Sequence, residues 1–207
     1  MKKKLGVLAV LLFSFTSTAQ AIPQTITFAS NGSSFFTTSS ENVLYRQHSS
    51  DPYYINTGYN NVEEAANTDW VAFNPYSKSP SSFASSSGEF FNLESFWIAG
   101  AWGSQTLTIT GYAEGQVIQT ISFGVSTEAQ EYLFSGFEGL DTFDIAIGND
   151  YVKDPLLRGD GQQWALGSVT ISPFDDNDPA GVPEPGTLVL LVAGLGIVGT
   201  VTRRRLI

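Results

Sequence analysis

TLTITGYAEGQVIQTISFGV, residues 106–125, is the stretch that decides the fold class. Leu107 and Ile109 alternate with threonines, and a period of two is typical of a strand with one buried face. The alternation returns in the second half, where the residues expected to share a face are Val117, Ile121, Phe123 and Val125. The intervening residues 111–115, GYAEG, are rich in turn formers. The stretch therefore predicts a β-hairpin.

The rest of the chain between residues 22 and 174 continues this pattern. Short alternating segments predict strands at residues 25–29, 143–147 and 169–171, and turn residues interrupt the chain about every 8–12 residues. The only helical segment expected is short, at residues 62–67. Residues 47–61 and the serine-rich residues 77–88 are expected to be long loops. We therefore predict an all-β fold, a single jelly-roll-like β-sandwich spanning residues 22–174.

The N-terminus indicates export. Lys2, Lys3 and Lys4 precede an apolar run at residues 5–15, and Ala19-Gln20-Ala21 provides the small residues that signal peptidase requires. The alternative, an uncleaved membrane anchor, is disfavoured because the apolar run is short for a membrane span. We predict a signal peptide at residues 1–21, cleaved before Ile22. Since the chain has no cysteine, the exported domain must be stabilised by its core alone.

The C-terminus predicts a second membrane element. After a polar linker at residues 175–181, residues 187–201 carry no charge and are followed by Arg203, Arg204 and Arg205. As a helix, this uncharged run would be about 22 Å long. That is short for a hydrocarbon core of about 30 Å, but the flanking residues can extend it. Because arginine clusters stay cytoplasmic, we predict a single transmembrane helix that the arginines stop at the inner side.

Val182-Pro183-Glu184-Pro185, the apolar run and the arginine cluster occur in an order that resembles the PEP-CTERM sorting domain. The resemblance covers the last 26 residues, 182–207, and implies a Gram-negative bacterium in which a membrane enzyme, exosortase, recognises the tail. It further implies tethering to the inner membrane, then delivery to the cell surface or extracellular matrix. Proteins of this kind commonly accompany extracellular polysaccharide.

Composition limits the possible chemistry of the domain. Residues 22–180 hold nineteen acidic and four basic residues, a net charge of 4 − 19 = −15, which disfavours nucleic acid as a partner. A single histidine, His48, and no cysteine make a structural zinc site or a catalytic triad improbable, so we predict no enzyme activity. Asp150, Asp154 and Asp160 flank a loop that could supply oxygen ligands to calcium, and the alternative is a solvated acidic loop. We expect no other cofactor.

A second resemblance covers the centre of the domain. FNLESFW at residues 91–97, TLTITGY at 106–112 and GQVIQT at 115–120 resemble exported β-sandwich modules that often precede PEP-CTERM tails. Such modules look like jelly rolls of carbohydrate-binding type, and their last strand often carries an acidic residue after an apolar pair. Gly167 stands at that position here, which weakens the inference of a calcium site.

Aromatic residues provide the remaining indication of a ligand. The candidates for stacking against a sugar are Trp70, Tyr76, Trp97 and Trp102, with burial in the core as the alternative. We predict a non-catalytic surface or matrix protein that associates with extracellular polysaccharide. The alternative is a lectin-like carbohydrate-binding module with a defined sugar site. A glycoside hydrolase that uses two of the many carboxylates is a more distant alternative.

Overall fold

The structure, a computed structural model, describes residues 22–48 and 51–175. Within these ranges the strands are β1 Gln24–Thr27, β2 Phe36–Thr38, β3 Leu44–Gln47, β4 Trp70–Phe73, β5 Ser81–Ser85, β6 Phe91–Gly100, β7 Gly103–Ala113, β8 Gln116–Val125, β9 Gln130–Leu133, β10 Thr142–Ile147, β11 Val152–Lys153 and β12 Trp164–Pro173. One α-helix, α1, spans Gly58–Ala65.

The strands form two antiparallel sheets. The order of the first is β3-β4-β12-β6-β9, and β1 also pairs with β12. The order of the second is β11-β7-β10-β5-β2, and β8 also pairs with β7. This arrangement is consistent with a β-sandwich, so the all-β prediction is confirmed. The finer jelly-roll assignment stays a prediction.

The main core is largely aromatic. Phe83 of β5 stacks on Phe143 of β10, with ring centroids 4.9 Å apart and planes within 6°. Trp164 of β12 lies 6.2 Å from Phe83 and is fully buried. The aliphatic members include Ile98, Leu107, Ile109, Ile145, Leu166, Val169 and Ile171. Burial of large side chains on this scale is how a domain without disulfides is stabilised.

A smaller apolar cluster lies under α1 and includes Tyr59, Val62, Val71, Ala99, Trp102 and Ala165. The helix approaches β12 closely at Gly167. A Cβ atom built on Gly167 would lie 2.6 Å from Val62 Cγ1 and 2.7 Å from the Ala66 Cβ. The register of β12 against β6 also shifts between Leu166 and Ser168. The close packing of α1 therefore explains why position 167 holds glycine and not an acidic residue.

The hairpin predicted from residues 106–125 is confirmed, with two corrections. Its turn is shorter than predicted, because only Glu114 and Gly115 lie between β7 and β8, with φ of 51° and 75°. Val117 does not share the face of Ile121. The β7–β8 register shifts beside Gly111, so Val117 pairs with Tyr112 while Ile121 pairs with the buried Ile109. A β-bulge thus turns Val117 to the opposite face.

The predicted loop at residues 77–88 is wrong, because it contains β5. This strand pairs with β10 and β2 and directs Phe83 into the core. The predicted strands near residues 25–29, 143–147 and 169–171 correspond to β1, β10 and β12. The predicted helix corresponds to α1, which begins earlier, at Gly58, and shortens the expected loop at residues 47–61.

Several predictions lie outside the described residues. These are the signal peptide at residues 1–21, all of the linker except Asp175, the motif Val182-Pro183-Glu184-Pro185, the transmembrane helix, and Arg203, Arg204 and Arg205. In the part of the chain that the structure describes, no helix has the length and apolar character needed to cross a bilayer.

Candidate functional site

The outer face of the first sheet presents Trp97 among small polar residues. In β6, Phe96 and Ile98 belong to the main core, so Trp97 between them points to the opposite face. The strand register places two rows across this face. They are Glu131–Trp97–Ser168–Thr27 and Leu133–Ser95–Thr170–Thr25, contributed by β9, β6, β12 and β1. We call these eight residues the Trp97 face.

Trp97 is half-buried, and a carboxylate is held in its neighbourhood. Glu131, its cross-strand neighbour on β9, accepts a hydrogen bond of 2.8 Å from the Ser95 hydroxyl. Ser95 and Ser168, the small residues beside the indole on β6 and β12, are buried. Part of the Trp97 ring thus lies beside an oriented hydrogen-bond acceptor. The ring can bind the apolar face of a sugar, and the carboxylate can accept hydrogen bonds from the hydroxyls of the same sugar.

Helix α1 borders the Trp97 face. Gly167, which contacts the helix, directly precedes Ser168, the β12 neighbour of Trp97. Two residues further along β6, Ala99 pairs with Ala165, and both belong to the cluster under α1. The face therefore extends away from α1 as two rows of strand residues, and Glu131 is the one charged member of those rows.

Trp102 is placed very differently from Trp97. It is buried within 5.9 Å of three tyrosine rings, those of Tyr53, Tyr54 and Tyr59. Its indole Nε1 donates a 2.8 Å hydrogen bond to Gln163 Oε1. A Cβ atom on Gly159 would lie 2.2 Å from the indole ring, so the loop backbone presses against it. These contacts give Trp102 a structural role.

The other two candidate rings are separate from Trp97. Trp70 is partly buried and packs against the main core, whereas Tyr76 is 88% exposed in a short 3₁₀ turn. Tyr76 and Ser77 have φ of 54° and 58°, an uncommon left-handed conformation for residues other than glycine. Among the described residues, no ring contact joins any two of the four predicted rings.

A buried ionic cluster lies at the junction of β3 and α1, and the sequence patterns did not reveal it. The fully buried Glu63 carboxylate lies 2.9 Å from His48 Nδ1 and 3.7 Å from Arg46 Nη1. Burial raises the pKa of Glu63, and the charge of Arg46 and then the hydrogen bond with His48 limit that rise. The Arg46 guanidinium lies 4.2 Å from the centre of the Tyr54 ring. His48 lies in the loop after β3, within the loop expected at residues 47–61, and its half-exposed side chain bonds to Glu63 of the helix.

The three aspartates of the acidic loop each accept hydrogen bonds from different partners. Asp150 accepts hydrogen bonds from the backbone N–H and hydroxyl of Thr106, at 2.9 and 2.6 Å. Asp154 accepts from a backbone N–H and Asp160 from a tyrosine hydroxyl. No group of three or more His, Cys, Asp or Glu side chains suited to a metal occurs in residues 22–48 and 51–175.

Two solved structures are similar to the fold of this chain, and a family motif matches its C-terminus. No curated protein matches the sequence. A DUF4465 family protein from Bacteroides caccae is structurally similar at 11% identity and a TM-score of 0.42, covering 79% of this chain and 98% of its own. TmCBM61 in complex with β-1,4-galactotriose is similar at 12% identity and a TM-score of 0.32, covering 69% of this chain and 90% of its own. These TM-scores are too low to bear on function.

The family comparison concerns the C-terminus. Residues 181–205 match the PEP-CTERM protein-sorting motif, which confirms the resemblance noted in the sequence. The matched segment includes the Val182-Pro183-Glu184-Pro185 run and all three terminal arginines. A motif of this kind implies export and processing at a membrane. The chain therefore carries a PEP-CTERM protein-sorting motif behind an exported, β-rich domain.

Proposed function

We propose that this protein is a non-catalytic component of the surface or extracellular matrix of a Gram-negative bacterium, where its Trp97 face contacts extracellular polysaccharide. Signal peptidase removes residues 1–21, the C-terminal helix tethers the chain to the inner membrane, and exosortase processes the tail. The observation that carries the binding proposal is the partly exposed Trp97 beside Glu131, whose carboxylate the Ser95 hydroxyl orients.

The chemistry of the face suits a neutral or weakly charged polymer. A sugar ring can place its C–H groups against the indole while a hydroxyl donates to the Glu131 carboxylate, and such bonds to a charged acceptor are stronger than neutral ones. Hydroxyl groups of Thr25, Thr27 and Thr170 extend the two rows toward β1. Two open rows of side chains across a sheet suit a polysaccharide chain that lies along the sheet surface. They suit a single enclosed sugar less well.

The binding proposal is tested by two ring deletions. We expect Trp97→Ala to weaken retention of the protein in gels containing the producing strain's purified extracellular polysaccharide. The loss of one stacking contact worth about 1.4 kcal/mol corresponds to roughly a tenfold loss of affinity. Tyr76→Ala is the matched control, since it removes another exposed ring without touching the face. Equal retention of the two variants, with unchanged melting temperatures, would contradict the proposal.

The lectin-like alternative predicts a different pattern of sugar binding from the matrix role. A defined sugar site would bind one short oligosaccharide on a glycan array with clear preference, and Glu131→Gln would reduce that binding. The proposed matrix role predicts binding to polymer and little discrimination among short oligosaccharides. A single strongly preferred oligosaccharide would therefore favour the lectin.

The sorting step is tested separately. Replacing Pro183 and Pro185 with alanine removes both prolines of the matched motif, and proline is a residue type that disfavours helix at its own position and at the one before it. We expect the variant to accumulate unprocessed in the inner-membrane fraction, while the wild-type protein reaches the surface or the medium. Unchanged processing and distribution would overturn the assignment of these prolines to recognition.

A further inference from the structure

A second carboxylate lies next to the Trp97 face, on the same side of the first sheet. The register of β6 against β12 shifts at Glu94, which is typical of a bulged residue. The Glu94 carboxylate accepts a hydrogen bond of 2.5 Å from the Ser172 hydroxyl. Ser172 follows Ile171, whose side chain belongs to the main core, so this hydroxyl and the carboxylate lie on the outer side. Glu94 and Glu131 are therefore both held by serine hydroxyls on one side of the sheet.

Both carboxylates remain accessible to a ligand. Glu131 is exposed and Glu94 is partly exposed. A carboxylate has about four acceptor positions, so a single serine hydroxyl occupies only part of its capacity. Trp97 lies opposite Glu131 in the strand register, and Glu94 is three residues away on the same strand, about 10 Å along it. Because an indole ring also attracts cations, the three groups together suit a ligand with positive charges.

The basic residues of the domain lie elsewhere. Of the four among residues 22–180, Arg46 is 3.7 Å from the Glu63 carboxylate under α1. The other three lie outside β1, β6, β9 and β12, the strands that contribute the Trp97 face: Lys78, Lys153 and Arg158. These four strands contain no lysine or arginine. They therefore supply no positive charge to bind the carboxylate or sulfate groups of an anionic polymer.

We propose that the polysaccharide bound by the Trp97 face is weakly cationic, a polymer in which some sugars carry free amino groups. This inference rests on the function proposed above and names the class of polymer. An ammonium group can bind Glu131 or Glu94 while a sugar ring of the same chain lies against the indole. The net charge of −15 on residues 22–180 attracts such a polymer to the domain and repels anionic ones.

Selective N-acetylation tests the proposal, because it removes the charge of an amine and leaves the polymer backbone unchanged. Retention of the full-length protein, purified in detergent, is measured in gels that contain the producing strain's extracellular polysaccharide before or after N-acetylation. We expect N-acetylation to weaken binding of the wild-type protein at least about tenfold, since each exposed ion pair can contribute up to about fivefold in affinity. Equal retention by the two polymers would overturn the proposal.

Variants without the negative charge show whether these two carboxylates are responsible. Glu131→Gln and Glu94→Gln each keep an oxygen that the serine hydroxyl can bond, and each should weaken binding to the untreated polymer about threefold. Glu114→Gln is the matched control, because Glu114 is exposed in the turn between β7 and β8 of the second sheet. Losses in both variants no larger than in this control would also overturn the proposal.

Failure of this inference can be distinguished from failure of the proposed function. If N-acetylation has no effect and Trp97→Ala still weakens binding to the untreated polymer, the face binds polysaccharide and only the charge assigned to the polymer is wrong. If Trp97→Ala binds as well as Tyr76→Ala, the proposed function itself is wrong, and the inference drawn from it is wrong as well.

Discussion

Replacing Gly167 with alanine should destabilise the domain by about 2 kcal/mol, because the new methyl group has no room under α1. The added Cβ would lie 2.6 Å from Val62 Cγ1, 2.7 Å from the Ala66 Cβ and 3.1 Å from the Val62 carbonyl oxygen. Val62 is fully buried and cannot swing into solvent. The helix must therefore shift away from β12. For a domain of this size the loss lowers the melting temperature by about 4–8 °C.

Thermal and urea unfolding followed by circular dichroism would measure this loss, with Gly124→Ala as the control. Gly124 also lies in a strand, but a Cβ there meets no atom within 4 Å, so its effect should stay within about 0.5 kcal/mol. Val62→Ala should cost less in the Gly167→Ala background than in the wild type, because it removes the Cγ1 contact. Equal stabilities of Gly167→Ala and Gly124→Ala would refute the close packing of α1 on β12.

Three further changes test other parts of the domain. Phe83→Ala should cost about 3–5 kcal/mol in urea unfolding, because it removes the ring stacked on Phe143, and a loss below 1 kcal/mol would place β5 outside the core. Hydrogen bonds from the Thr106 hydroxyl and backbone N–H hold the pKa of Asp150 below its usual 3.8. The ionised Asp150 side chain therefore stabilises the fold above pH 3.8, and this stabilisation is lost as the pH falls through the lower pKa of the folded state. Asp150→Asn should therefore be less stable than wild type at pH 7, and urea unfolding at a series of pH values should show this gap closing below pH 3.8. Glu114→Gly should raise the melting temperature slightly, since φ of 51° favours glycine, and a lower melting temperature would contradict the turn geometry.

Alternation predicted the strands in which one face is apolar and the other polar. Leu107 and Ile109 of β7 are both buried, and the threonines between them are not. The same rule missed β5, because SSFAS contains one large apolar residue, Phe83, and shows no alternation. It is a strand because it pairs with β2 and with β10, which lies far away in sequence and carries the Phe143 ring stacked on Phe83. Alternation also failed at Val117, because a bulge changes the register without a local sequence signal.

The candidate site was only partly predictable. Trp97 could be named from the sequence as an aromatic residue, but Glu131 and Ser168 become its neighbours through the pairing of β6 with β9 and β12. Trp102 looked equivalent to Trp97 in the sequence, although three tyrosines and the Gly159 loop surround it in the fold. Periodicity shows that a side chain lies on a strand face. Which residues cover that face depends on tertiary pairing.

The position of β12 affects the order of events during export. It is the last strand of the domain, yet it pairs with β1, β4 and β6 and supplies Trp164 and Leu166 to the core. A chain that crosses a membrane from its N-terminus delivers this strand after all of its partners. The first sheet therefore cannot close until the residues next to the sorting motif arrive. A chain terminated before residue 164 would lack both the strand that completes the first sheet and the segment that carries the sorting motif, so it would be neither folded nor processed.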